Sequence, residues 1–167
     1  MDNIDIFLKR RSIRRFKKDP VPADKIQQLL MAAMAAPSAV NSQPWEFVVV
    51  DDPLILKKLK EQLPLGKYNA PLAIVVVGNP RTAVGERFWV QDCSAAMENL
   101  LLAAVSLGMG GVWIGVHPIT TLVKRIRNVL GIPENATPFG VALIGFPAEK
   151  KPARSQYNEK RIHWQRY

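Results

Sequence analysis

Residues 88–115 read FWVQDCSAAMENLLLAAVSLGMGGVWIG. Over Phe88–Leu107 the apolar side chains Trp89, Cys93, Ala96, Met97, Leu100, Leu101, Ala104 and Val105 fall around most of a helical circumference. They leave a narrow polar stripe of Gln91, Glu98 and Asn99. A helix that is apolar nearly all round belongs in a core or an interface. A chain of 167 residues makes one domain and cannot easily cover such a helix on every side, so the spacing predicts burial against a second subunit. Residues 99–123 carry no charge, yet Gly108, Gly110, Gly111 and Gly115 break the apolar run into a helix end and a short strand. A membrane span needs about 20 predominantly apolar residues without such breaks, so none is expected.

Working outward, Ile4, Phe7 and Leu8 fall at helical spacing behind the capping candidates Asp2 and Asn3. Pro22 opens a second helix with Ile26, Leu29, Leu30 and Ala33 on one face, stopped by Pro37. Trp45–Val50 and Leu72–Val77 read as buried strands, Glu46 aside, with an amphipathic helix at Pro53–Leu63 between them. Beyond the long helix, Gly111–Val116 reads as a strand, Thr121–Leu130 as a helix closed by Gly131, and Phe139–Phe146 as a fourth strand. Helices and strands mix without strict alternation, which gives an α+β class. The segment 147–167 is polar and basic but ends Ile162-His163-Trp164-Gln165-Arg166-Tyr167. Exposed aromatics are costly, so this tail is expected to dock on its own domain or across a dimer.

Composition narrows the function classes. Hydrophobic residues make up 48% and charged residues 22%, values of a globular protein that exclude disordered and fibrous chains. One cysteine, Cys93, and an N-terminus without a basic-then-apolar signal pattern point to a reducing cytoplasm. The net charge of +9 is concentrated at the two ends: residues 1–18 hold seven basic and two acidic residues, and residues 150–167 six and one. Ile13 and Phe16 are buried-type residues inside the first cluster, so this segment is expected to pack as part of the fold. A nucleic-acid footprint would add aromatic platforms or a longer basic stripe. Arginines from both ends fit a single small anion better, because the guanidinium fork donates two parallel hydrogen bonds to phosphate.

Other chemistries find no apparatus. The cluster Gly108-Met-Gly110-Gly111-Val-Trp113 has tryptophan where a dinucleotide fingerprint needs its third glycine, and it leaves a helix to open a strand, the reverse of that motif. His117 and His163 have no partners at metal-ligand spacing, and Cys93 sits on an apolar helix face without a flanking base. No side chain is expected to act as a catalytic acid, base or nucleophile, and no metal site is expected. An enzyme built this way relies on a bound cofactor for the difficult chemistry. In the segment Ala36-Pro37-Ser38-Ala39-Val40-Asn41-Ser42-Gln43-Pro44-Trp45, two prolines fix bends around small polar residues. The carboxamides of Asn41 and Gln43 both donate and accept, which suits a pyrimidine-like ring edge; ordinary turn chemistry explains the same residues.

Taken together, Arg10-Arg11-Ser12-Ile13-Arg14, the Ala36–Trp45 segment and Gly108–Gly115 resemble the FMN-dependent nitroreductase superfamily, and the likeness extends through Asp92 and Asn99. The resemblance implies a mostly antiparallel sheet flanked by helices, in an intertwined homodimer with FMN at the interface. It implies that Arg10, Arg11, Ser12 and Arg14 contact the FMN phosphate, ribityl chain and pyrimidine edge. Pro37, Ser38, Asn41 and Gln43 would reach the ring system from the other subunit. Trp113, Ile114 and Gly115 would run beside the isoalloxazine, with Arg154 at the phosphate and Lys67 as a further flavin contact. The implied activity is reduction of nitroaromatics, quinones or similar electron-poor acceptors by NAD(P)H in a ping-pong hydride transfer. A flavin-binding module without turnover, or a dehalogenating or otherwise specialised member, are the alternatives. The chain lacks the insertions with which longer members build a lid.

Overall fold

The computed structural model describes all residues except 1–3, 65 and 82, so the expected caps Asp2 and Asn3 lie outside the described residues. Among the described residues, five α-helices and four strands follow in the order α1 (Asp5–Lys9), α2 (Ala23–Met34), β1 (Trp45–Val50), α3 (Pro53–Gln62), β2 (Leu72–Gly78), α4 (Ala83–Ser106), β3 (Gly110–Gly115), α5 (Thr120–Leu130) and β4 (Thr137–Gly145). The strands form one sheet in the order β1-β2-β4-β3, with every pairing antiparallel.

Local sequence explains the boundaries. The Asp52 carboxylate accepts the N–H groups of Leu54 and Ile55 and caps α3 at the Pro53 start. Gly108 (φ 73°) ends α4, with Gly108 N–H on the Val105 carbonyl and Met109 N–H on that of Ala104. This is the paired 5→2 and 6→1 closure that a left-handed residue permits. Gly131 (φ 65°) ends α5 with a different pattern, its own N–H and that of Ile132 both donating to the Arg127 carbonyl.

The sheet is covered on both faces. Ala73, Val75, Val77, Val112, Ile114, Val141 and Leu143 pack against α3 and α5, whereas Leu72, Ile74, Val76, Ala142 and Ile144 pack against α2 and α4. β2 and β4 are therefore apolar on both sides. β1 is not, contrary to the buried strand expected: it forms one edge of the sheet, and Glu46 and Val49 are exposed. A short apolar run looks the same in a central strand as in a shielded edge.

β3 forms the other edge, and the basic N-terminal segment lies along it. Ser12 bridges Gly111 in parallel register, with Ile13 N–H on the Gly111 carbonyl at 3.0 Å. Ile13 and Phe16 are buried, as their place in the charge run required. Helix α4 begins a turn earlier than its pattern suggested. Its outward stripe of Val84, Phe88, Ala95, Leu102 and Val105 is left partly open by this one chain. Among the described residues no helix is long and apolar enough to cross a membrane.

Candidate active site

The two basic termini meet. Residues 146–154 run beside 8–17: Lys17 N–H donates to the Phe146 carbonyl at 2.8 Å, Ala148 N–H to that of Arg15 at 2.9 Å, and Arg154 N–H to that of Leu8 at 2.9 Å. The first part of the tail thus docks on its own chain. Side chains fasten the junction. The Arg11 guanidinium donates to the Pro152 carbonyl, and Lys151 Nζ donates to that of Ser12. Glu149 Oε1 accepts the N–H groups of Arg14 (2.6 Å) and Arg15 (3.2 Å) and pairs with Lys151 Nζ at 3.4 Å. These donors, the Arg14 N–H foremost, hold the Glu149 carboxyl below the usual carboxylate range.

With Glu149 engaged, Lys9, Arg11, Lys150 and Lys151 surround a hollow of about 310 Å³ closed below by Ile13, Val105, Met109 and Gly110. The Ser12 hydroxyl and the Arg154 guanidinium have no partner among the described residues. Arg10 and Arg11 turn to different neighbours, as adjacent residues of an extended segment do: Arg10 Nε pairs with Glu98 of α4 at 3.2 Å. The Arg14 guanidinium lies 5.9 Å from the centre of the Tyr68 ring. Tyr68 and Lys67 line a second hollow of about 440 Å³ with Lys57 and Lys60.

At the other end of β3, Trp113, Gly115, His117 and Phe139 enclose an open hollow of about 400 Å³. Its walls are aromatic. The Trp113 and Phe139 rings lie 5.5 Å apart, and Trp89 meets His117 edge-on at 4.7 Å and Phe139 at 6.1 Å. A Cβ on Gly140 would stand 2.6 Å from the Trp113 indole nitrogen, so this glycine lets the Trp113 ring lie flat over its strand neighbour. A Cβ on Gly115 would meet no atom within 4 Å. Ile114 points the opposite way, into the α3–α5 core, so only its main chain can serve this hollow. About 13 Å of strand separates Gly111 from Gly115 at 3.2–3.4 Å per residue. The cationic and aromatic hollows therefore lie along one strand.

The loop between α2 and β1 is strained. Val40 (φ 49°), Asn41 (φ 54°) and Gln43 (φ 46°) all adopt left-handed conformations, which cost on the order of 1–3 kcal/mol each for non-glycine residues and are least tolerated by a β-branched valine. The Ser38 hydroxyl oxygen accepts the Gln43 N–H at 3.0 Å, and Gln43 Nε2 donates to Asn41 Oδ1 at 3.2 Å. The loop is tied to Asp92 of α4 through Ala39 N–H at 3.1 Å. Pro37, Ser38, Asn41 and Gln43 are thus brought together, but apart from the arginines. Asp92 and Glu98, the α4 anchors of loop and Arg10, are six residues and about 9 Å apart and on faces about 120° different.

Sequence reasoning missed Lys9, Lys150, Glu149, Phe139 and His117 as members of these hollows. A basic cluster gives no indication of which cations face inward, and the aromatic walls assemble from three separate elements. Cys93 is buried in the core beside α2, as its helix position indicated, and burial, with the Asp92 charge adding to it, pushes its thiol up to about 12. Among the described residues no group of three His, Cys, Asp or Glu side chains could hold a metal ion.

Comparison with known proteins places this architecture. The Nitroreductase family profile matches residues 7–65 and 64–146. A Methanothermobacter thermautotrophicus protein provisionally named NADH dehydrogenase/NAD(P)H nitroreductase is 43% identical over 169 residues, covering 100% of this chain and 88% of its own. An FMN-dependent nitroreductase from Clostridium difficile R20291 superposes with a TM-score of 0.88 at 32% identity, covering 98% of this chain and 99% of its own. A Bacteroides fragilis nitroreductase with bound FMN superposes with a TM-score of 0.79 at 25% identity over 98% of each chain. With its antiparallel sheet, its paired basic termini and a family match along most of its length, this chain belongs to the nitroreductase family.

Proposed function

We propose that the chain is an FMN-dependent oxidoreductase that takes hydride from NADH or NADPH and reduces nitroaromatics, quinones or similar electron-poor acceptors in two half-reactions. The observation that carries the reading is the alignment of a cationic hollow and an aromatic, glycine-floored hollow along β3. The residues present fit FMN. Lys9, Arg11, Lys150 and Lys151, with the unpartnered Ser12 hydroxyl and Arg154 guanidinium, would hold its phosphate by charge-assisted hydrogen bonds. The open face above Gly115, where a Cβ would intrude, would receive the ring beside Trp113 and the main chain of Ile114. When bound, FMN supplies the two-electron chemistry that no side chain here provides. Arg14, over Tyr68 at the Gly110 end of the sheet, would add positive charge on the phosphate and ribityl side, with Lys67 beside Tyr68.

The reading includes a homodimer. The partly open stripe of α4, and a tail in which Tyr157, Trp164 and Tyr167 stay exposed on their own chain, both call for a second subunit. The loop carrying Pro37, Ser38, Asn41 and Gln43 would complete the partner's cleft, which accounts for its separation from the chain's own arginines. The test is anaerobic reduction of the purified, FMN-loaded protein. NADH or NADPH is expected to bleach the 450 nm absorption, and a nitroaromatic or quinone to restore it. A loaded protein that neither nicotinamide bleaches would refute the turnover reading in favour of a binding role.

A further inference from the structure

We infer that Asp92 is a positioning residue that sets how the Pro37–Gln43 loop presents its carboxamides; the inference rests on the cofactor site proposed above. Asp92 is the only buried polar or charged side chain among the described residues. A carboxylate in that position is costly to desolvate unless hydrogen bonds compensate it. Here its two oxygens are divided over the loop: Oδ1 accepts the Ala39 N–H at 3.1 Å, and Oδ2 accepts the Ser42 hydroxyl at 3.4 Å. The two contacts grip the chain on either side of Val40 and Asn41, both left-handed. The second clasp, Ser38 with Gln43, is internal to the loop. It can preserve the loop's shape but cannot fix its place on the protein. Of these side chains, only Asp92 ties the loop to α4.

The consequence concerns Asn41 and Gln43. Their side chains project from residues that an unrestrained chain would move out of the left-handed region, so the Asp92 grip and the Ser38–Gln43 clasp together keep the carboxamide pair joined and in place. Helix α4 also carries Glu98, the partner of Arg10. One helix thus anchors both the loop and the basic segment of its chain, and a relaxed loop would lose its alignment with the partner's cleft even if every loop residue were intact.

The test compares Asp92→Ala, Asp92→Asn and the parent protein by two readouts: amide hydrogen exchange of residues 38–43 without cofactor, and the Kd and absorption band shape of added FMN. Asp92→Ala is expected to speed exchange across 38–43 at least tenfold relative to β2 and β4. It should also raise the FMN Kd about tenfold or more, with an altered band. Asp92→Asn keeps an acceptor for Ala39 and should recover most of both. Loop exchange and Kd at parent levels in Asp92→Ala would overturn the inference, whatever happened to the melting temperature. If Asp92→Ala does not fold, Ser42→Ala decides: faster exchange confined to the loop supports the grip, and unchanged exchange refutes it. A parent protein with no FMN affinity would defeat the cofactor reading, and loop exchange would still decide whether Asp92 holds the loop.

Discussion

Glu149 Oε1 lies 2.6 Å from the backbone nitrogen of Arg14, and this contact joins the last basic segment of the chain to the first. Its pH dependence follows from the direction of the shift. The folded-state pKa of Glu149 is lowered, so its stabilisation is fully present above the ordinary carboxylate range and is lost as pH falls through the lower folded value. Glu149→Gln should cost about 1 kcal/mol at pH 7, read by urea denaturation, and the gap to the parent protein should close on acidification. A gap that persisted or widened at low pH would rule out the charge as the cause.

Gly115 and Gly78 separate a glycine proposed to face a ligand from one required by packing. A Cβ on Gly115 meets nothing, whereas one on Gly78 would stand 2.2 Å from the Trp89 ring. Gly115→Ala should leave stability unchanged or raise it by about 0.5–1 kcal/mol while weakening FMN binding. Gly78→Ala should destabilise by about 1–3 kcal/mol through overpacking. Thermal melts and flavin titration distinguish the two, and full FMN affinity in Gly115→Ala would remove the ring from this hollow.

Arg14→Ala should weaken FMN retention by about 10- to 100-fold, the worth of one charge-assisted contact. Arg14 is exposed and its side chain makes one long hydrogen bond, 3.5 Å to the Ser12 carbonyl, so the melting temperature should change little. Undiminished flavin occupancy after gel filtration would contradict its role.

Cys93→Ser should leave turnover largely intact. The thiol is buried and its pKa is raised to about 12, so it stays protonated across the working range and should resist alkylation at pH 8 in the folded protein. Rapid labelling there, or lost turnover in a well-folded Cys93→Ser variant, would return the thiol to consideration.

The element order and both helix-ending glycines were legible because periodicity and left-handed caps are local properties. The packing of Ile13 and Phe16 was legible for a related reason: apolar residues inside a charge run have few other places to go. What escaped the sequence depends on distance along the chain. Glu149 is 135 residues from Arg14, and Asp92 is 53 from Ala39; in both pairs the donor is a backbone N–H, which any residue carries. Ile114 shows a different limit. Its motif position marked it as a site residue, but the alternation of β3 turns its side chain into the opposite core and leaves only its main chain available.

The central claim is that cations from the two termini hold a phosphate while the far end of β3 receives a ring. Titration of the cofactor-free protein with FMN and with riboflavin, which lacks the phosphate, tests it most directly. FMN should bind at least about 100-fold more tightly, the equivalent of two charge-assisted hydrogen bonds, and the advantage should shrink with added salt. Equal affinity for the two flavins, insensitive to ionic strength, would contradict the account.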